Sequence, residues 1–254
     1  MLTSFNDKIK TIFLLSGKKD CRDKVLEQYF NVLGENVEAL QFGFFLKTYA
    51  GIIAGVEEEY INTNKYDFIE FKSEGVLHRI NDCVNDTCTR LGMAPLQYNK
   101  MALLAIVNHF LGSNYRLEHE LPEVININTY QLLRQIGEVW KLVFDNTIWT
   151  SLVITAINRS TCKYIVVNDF RFPEEYSGLE NGIIHPIHAI KIIDTAGPVI
   201  KPEGYHISEF ALEEFPFDYL VNYTIPYDSI NYIYPQIKAI IKAIKATEVS
   251  EEKE

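Results

Sequence analysis

The chain has 254 residues, of which 47% are apolar and 23% are charged. This composition excludes a wholly disordered or fibrous chain, and the length suits one large α/β domain or a domain with an inserted subdomain. The net charge of −10 argues against broad binding of duplex nucleic acid, because an acidic surface repels the phosphate backbone. A few basic groups in a cleft could still bind a small anion.

The apolar run Thr11–Leu15 predicts a buried strand, and the helical spacing from Val25 predicts a helix that stops at Gly34. Residues 39–50 begin as a strand and continue as a helix. Later segments predict two helices over 130–158, a last helix over 234–246, and three more strands: Lys163–Asn168, His188–Ile193 and Tyr219–Tyr223. The expected fold class is α/β, with a P-loop-type central parallel sheet, helices on both faces and a helical insertion.

The domain prediction has three parts. Residues 1–56 and 129–247 form the α/β core, residues 57–128 form a helical, lid-like insertion, and residues 248–254 form a charged tail. The cysteines show no disulfide or zinc pattern, and the pair His185 and His188 lacks a third ligand, so we expect reduced thiols and no metal site. No apolar run is long enough for a signal or a membrane span, which predicts a soluble, intracellular protein of the cytoplasm or a virion, without a membrane partner.

The polar stretch Ser16–Lys24 follows the first predicted strand, where a glycine-rich loop can wrap phosphates with its backbone N–H groups. The phosphate-loop pattern GxxxxGK[ST], counted from Gly17, places Arg22, Asp23 and Lys24 where glycine, lysine and a hydroxyl residue belong. Asp23 would then face the phosphates and be the main obstacle to ATP binding, which predicts that changing all three residues to the motif raises ATP affinity. The alternative is a solvated loop.

The stretch Asn168–Glu175 follows the strongest predicted strand, and the carboxyl ends of parallel strands line the usual ligand crevice. Asp169 could hold Mg²⁺ through water, and Arg171 could clamp a phosphate. The alternative is a capped loop with a structural Arg–Glu pair. We expect Asp169 and Arg171 to face the same cleft as the Gly17–Lys24 loop.

Four further segments are weaker candidates, each with a structural alternative. Gly204–Glu209 also fits a turn followed by a capped helix. Lys47 could bind a phosphate, Arg134 could be a second arginine, and Trp149 could offer a plane for a base. Each of these three also fits a surface charge or a core ring.

In this order the segments resemble the bacteriophage-type deoxynucleoside monophosphate kinases, P-loop proteins that transfer a phosphoryl group from ATP to a deoxynucleoside monophosphate (dNMP). The resemblance spans both ends of the chain, about half of its residues, and leaves 57–128 uncovered. They are IFLLSGKK near the start, QFGFFLK ending in Lys47, LLRQIG (Leu132–Gly137), Trp149, VVNDFRFPEE (Val166–Glu175) and HISEFAL (His206–Leu212).

The resemblance implies a role for each matching residue. Asp169 and Arg171 would be catalytic, and Glu175, His206 and Glu209 would support the architecture. Phosphate or nucleotide contacts would come from Gly17, Lys18, Lys19, Lys24, Lys47, Arg134 and Trp149. The sequence departs from the family at Arg22–Lys24, at Gln131, where the family usually has arginine, and at Arg134, where glutamine is common.

Two functions follow. The first is a dNMP kinase-like protein whose ATP-binding loop is degenerate and whose catalysis is weakened or lost; if it is active, it uses Mg²⁺ and ATP and takes a dNMP as its small-molecule partner. The second is a non-catalytic binding or structural protein derived from such a kinase, such as a virion or viral assembly component, with a protein partner at residues 57–128.

Overall fold

The structure, a computed structural model, describes residues 9–63, 67–96, 100–194, 211–223 and 229–251. The chain divides into two compact units. The sheet unit comprises Met1–Gln41 and Ile157–Glu254, and the helical unit comprises Phe42–Ala156.

The sheet unit contains a five-stranded parallel sheet in the order β2-β5-β1-β6-β7. Its strands are β1 (Thr11–Ser16), β2 (Val37–Leu40), β5 (Tyr164–Val167), β6 (Ile187–Asp194) and β7 (Tyr219–Tyr223). Its helices are α1 (Lys19–Leu33), α8 (Pro173–Gly182) and α9 (Ser229–Glu251). This α/β architecture, a central parallel sheet flanked by helices, confirms the fold class predicted from the sequence.

Both faces of the central strands are buried, as a parallel sheet with helical crossovers requires. On one face, Phe13 and Leu15 of β1 pack in a single apolar cluster with Val25 of α1 and Ile237 of α9. Ile12 and the other alternate residues of β1 and β5 point to the opposite face and are also fully buried. The strands therefore read as short continuous apolar runs, which is why the sequence located them.

The helical unit is built from a bundle of helices and a two-stranded antiparallel ribbon. The ribbon pairs β3 (Phe68–Lys72) with β4 (Val124–Asn128). The helices are α2 (Phe44–Ala54), α3 (Glu58–Thr63), α4 (Val76–Leu91), α5 (Lys100–Leu111) and α6 (Thr129–Val143), with a 3₁₀ turn at Glu118–Glu120 and with α7 (Ile148–Arg159) after α6.

This division differs from the predicted insertion over 57–128, because the helical unit extends beyond both of those limits. The reason is packing. Tyr49 of α2 and Trp140 of α6 lie in the same buried apolar cluster as Ile80 of α4 and Leu104 of α5. Helices α2 and α6 thus belong to the core that the predicted insertion forms.

Gly17 is the first residue after β1 and has a φ of +144°, a conformation that L side chains rarely adopt. A Cβ at this position would lie 2.8 Å from the carbonyl oxygen of Ile192 on β6. We expect Gly17→Ala to lower the free energy of unfolding by about 2–4 kcal/mol, because strain and a backbone clash combine. Urea unfolding measures the change. The matched control is Gly34→Ala at the end of α1, where φ is +70° and a Cβ would have open space; an equal loss in both variants would contradict the clash.

In the ranges that the structure describes, no helix combines the length and apolar character needed to cross a bilayer.

Candidate phosphate site at the carboxyl edge of the sheet

Only Gly17 and Lys18 connect β1 to α1, because the helix already begins at Lys19. The prediction of a loop extending to Lys24 is therefore wrong. Arg22 donates its backbone N–H to the carbonyl of Lys18, which closes the first turn of the helix. A phosphate loop needs a run of free amides between strand and helix, and two residues cannot supply it.

The three residues that replace the motif all lie on α1, and each has a structural environment there. Arg22 is buried. Asp23 accepts a hydrogen bond from the amide nitrogen of Asn168 at 2.9 Å. Lys24 is exposed and lies 3.7 Å from Glu27, one turn along the helix. Asp23 is thus held at the end of β5, and the feature that departs from a phosphate loop is the two-residue connection rather than this carboxylate.

The two lysines at the start of α1 do not form a phosphate cradle either. The ammonium of Lys18 contacts a carboxylate oxygen of Asp194, at the end of β6, at 2.5 Å. Lys19 is exposed on the first turn. The residues between β1 and α1 therefore do not fit the triphosphate of ATP with its Mg²⁺.

Asp169 and Arg171 lie where the sequence placed them along the chain, just after the carboxyl end of β5. Strand β5 runs parallel to β1 and pairs with it directly, so both strands end at the same edge of the sheet. The backbone N–H of Phe170, between the two site residues, donates to the carbonyl of Leu15 at 3.1 Å. This bond fixes the segment after β5 against the end of β1.

Glu175 caps helix α8 and shapes this segment. Its carboxylate accepts the backbone N–H groups of Arg171 at 2.8 Å and of Phe172 at 3.0 Å. Burial, together with the negative charge of Asp169, raises the pKa of Glu175 to about 8; the two N–H donors and the charge of Arg171 act in the opposite direction and do not offset it. Glu175 thus caps α8 with two backbone hydrogen bonds, and its raised pKa favours the protonated carboxyl near neutral pH.

This pKa makes the stability of the sheet unit depend on pH. Folded Glu175 binds its proton more tightly than the unfolded chain does, so its stabilising effect is full below about pH 4.3 and is lost as pH rises towards about 8. We expect Glu175→Gln, which mimics the protonated form, to flatten the decline over this window by up to about 1.4 kcal/mol per pH unit. Chemical unfolding at pH 5, 6.5 and 8 measures it.

Glu120 provides the matched control, because its carboxylate makes the same pair of bonds, to the N–H groups of Arg116 and Leu117, at an exposed site. Comparison with Glu120→Gln separates the effect of the buried position of Glu175 from the loss of the two hydrogen bonds. A Glu175→Gln profile that parallels the wild type would show that Glu175 is ionised in the folded protein.

An aromatic cluster that the sequence did not predict lies beside the segment after β5. The ring of Phe170 contacts Phe215 with centroids 5.1 Å apart and Phe217 at 6.2 Å. The ammonium of Lys191, on β6, lies 5.4 Å from the centroid of the Phe217 ring. A lysine inside the otherwise apolar strand HAIKII was the available sequence signal for this group.

Three predicted nucleotide contacts belong to the helical unit. Lys47 is half-buried on α2. Arg134 lies on α6 and contacts Glu138 at 3.1 Å, an exposed ion pair one turn along the helix. Trp149 packs against the apolar core, stacks on Trp140 with centroids 6.5 Å apart, and donates to the carbonyl of Gly137. The contacts of Arg134 and Trp149 match those of a surface charge and a core ring.

His206 and Glu209 lie outside the described residues. Among the residues that are described, no group of three or more His, Cys, Asp or Glu side chains is placed to hold a metal ion.

Comparison with known proteins gives no assignment: no family model matches the chain, and no curated protein matches it. The site must therefore be interpreted from its own geometry and from the resemblance of its motifs.

Proposed function

We propose that this chain is a deoxynucleoside monophosphate kinase-like protein that binds a dNMP at the carboxyl edge of its sheet, and that its phosphoryl transfer from ATP is weakened or lost. The observation that carries the proposal is the connection from β1 to α1, which has two residues and no room for a phosphate loop. Phosphoryl transfer depends on positioning and charge stabilisation of the donor phosphates. The absence of a phosphate loop between β1 and α1 would therefore lower the rate of transfer.

The retained part of the site supports acceptor binding. Asp169 and Arg171 follow β5 at the edge where open α/β sheets bind ligands, and the Glu175 cap binds the backbone N–H of Arg171. An arginine at this edge can make a bidentate, charge-assisted contact with a phosphate. Binding of a dNMP would then need no contribution from the connection at Gly17.

The exposed face of the β3–β4 ribbon gives no support to a protein partner at 57–128. Its apolar residues Phe68 and Val124 stand at opposite ends of the ladder. Between them, the amide of Asn126 donates to the carboxylate of Glu70 at 3.0 Å. The middle of this face is therefore polar, unlike the apolar patches that mark protein interfaces.

Calorimetric titration with each of the four dNMPs, and separately with ATP–Mg²⁺, tests the proposal. We expect a dNMP to bind and ATP–Mg²⁺ to show no saturable heat. Arg171→Ala should weaken dNMP binding by about 1.5–3 kcal/mol, which is the usual contribution of a hydrogen bond to a charged group.

Arg159→Ala is the matched control, because Arg159 is an exposed arginine of the same unit at the end of α7. It should leave dNMP affinity within about twofold, since a distant surface charge is screened by salt. Absence of dNMP binding to the unaltered protein at millimolar ligand would refute the proposal.

A further inference from the structure

Lys191 occupies an unusual place for a lysine, in the interior of a strand of the parallel sheet. It pairs in register with Ser16, the last residue of β1, and therefore lies beside the connection to α1. Its neighbours Ile190 and Ile192 point into the apolar cluster under α1 and α9. Because side chains alternate along a strand, Lys191 points to the opposite face of the sheet.

The surroundings of Lys191 link it to the segment that carries Arg171. Its ammonium lies 5.4 Å from the centre of the Phe217 ring, and Phe217 packs against Phe170. Phe170 stands between Asp169 and Arg171 in the chain and is tied to the end of β1 by its backbone N–H. The Lys191 ammonium is thus beside the aromatic cluster that includes Phe170, the residue directly before Arg171 in the chain.

Within the described ranges, no acidic side chain lies within 4.0 Å of the Lys191 ammonium, whereas Lys18 at the same edge contacts Asp194. The carboxylate of Asp218, on the adjoining segment, accepts the backbone N–H of Ala189 at 2.7 Å. A half-buried ammonium is costly without an anion, and an aromatic ring offsets only part of that cost.

We infer that Lys191, together with Arg171, binds the phosphate of a phosphate monoester at the carboxyl edge of the sheet. The inference rests on the proposed function, and it adds the residue that supplies a second positive charge. A monoester phosphate carries close to two negative charges at neutral pH. Two cations on neighbouring segments match that charge better than Arg171 alone. The phosphate would then lie on the face of the sheet opposite to α1.

Substitution of the lysine tests the assignment by calorimetry with the dNMP that binds most tightly. Lys191→Met removes the charge and keeps most of the apolar stem, and it should weaken binding about tenfold or more. The affinity for the matching deoxynucleoside, which lacks the phosphate, should differ from that of the unaltered protein by less than about twofold. Lys191→Arg should restore most of the binding, because it restores the positive charge.

Lys163→Met is the matched control. Lys163 also lies 5.4 Å from an aromatic ring, that of Tyr164, but it precedes β5 at the amino edge of the sheet. Its loss should leave dNMP affinity within about twofold, since charges separated by more than a Debye length are screened. Equal weakening by Lys163→Met and Lys191→Met, or no weakening by Lys191→Met in a protein that binds dNMP, would overturn the inference.

A second readout separates this inference from the proposed function. Acetylation of each lysine in the unaltered protein is followed by mass spectrometry, with inorganic phosphate or with sodium chloride at equal ionic strength. We expect phosphate to slow the acetylation of Lys191 severalfold and that of Lys163 not at all. Protection of Lys191 without dNMP binding would support the anion site and refute the nucleotide function. Binding of a dNMP without protection of Lys191, by phosphate or by that dNMP, would support the nucleotide function and refute the anion site at Lys191.

Discussion

Replacing Arg22 by Gly, Asp23 by Lys and Lys24 by Thr in one variant is expected to destabilise the protein by about 2–4 kcal/mol and to leave ATP affinity unchanged. Glycine in a helix interior costs about 1 kcal/mol, and the buried Asn168 loses the hydrogen bond that its amide donates to Asp23, at a further cost of about 1–3 kcal/mol. The sequence alone predicted the opposite result, a gain in ATP affinity. We expect no such gain, because these positions lie on α1 and not in a loop.

Urea unfolding and calorimetric titration with ATP–Mg²⁺ measure the two effects. Lys24→Thr alone is the control, because Lys24 is exposed and its change should stay within about 0.5 kcal/mol. A triple variant that folds normally and binds ATP–Mg²⁺ more tightly than the wild type would show that residues 19–24 can form a phosphate loop.

Trp140→Ala is expected to destabilise the helical unit by about 3–5 kcal/mol, the usual cost of removing a buried aromatic side chain. Trp140 is fully buried, and it stacks on Tyr49 with centroids 5.5 Å apart. Its indole N–H donates to the hydroxyl of Thr87 at 3.0 Å, and Thr87 in turn donates to the hydroxyl of Tyr49. The substitution therefore removes apolar contacts and one bond of a buried polar network at the same time.

Both tryptophans of the chain belong to the helical unit, so tryptophan fluorescence during urea unfolding reports on this unit. In the Trp140→Ala variant the signal comes from Trp149. Leu142→Ala is the matched control: Leu142 lies on the same helix and its side chain is mostly exposed. Its effect should stay within about 0.5 kcal/mol. Comparable losses in the two variants would contradict the placement of Trp140 at the centre of the core.

The sequence located the inner strands of the main sheet because both faces of those strands are buried; residues 164–167 appear as a short apolar run, and the predicted strand coincides with β5 within a residue or two. Strand β7 was located although only its alternate residues are buried, because four of its five side chains are apolar. The ribbon strands were missed, since only one face of each is buried and polar residues alternate with the apolar ones. Ile69 and Phe71 on β3, and the alternate isoleucines of β4, are separated by polar residues that resemble loop sequence.

The start of α1 could not be placed because its first turn lacks the usual signals. Lys18 caps the helix without a side-chain hydrogen bond, and the polar run after it resembles a loop. The acidic residue Asp20, in the first turn, was the one hint, since an acidic side chain is favoured at a helix N-terminus. The apolar periodicity that sequence analysis relies on begins only at Val25, two turns too late.

The residues of the candidate site were predicted unevenly for a similar reason. Asp169 and Arg171 follow a clear strand, so the rule for strand ends located them. Lys191 was missed because its significance depends on register: only the pairing with Ser16 and the packing of Phe217 bring it near that edge. Such contacts join segments distant in the chain, and one sequence does not encode them in any local pattern.

The most direct test of the central claim is a transfer assay with γ-labelled ATP, Mg²⁺ and each of the four dNMPs, run on the unaltered protein beside a calorimetric titration of the same sample. We expect a dNMP to bind with saturation, and the label to remain on ATP at the rate of a protein-free blank. Saturable ATP–Mg²⁺ binding with steady transfer of label to a dNMP would contradict the claim, because it would require a donor site that the two-residue connection between β1 and α1 does not provide.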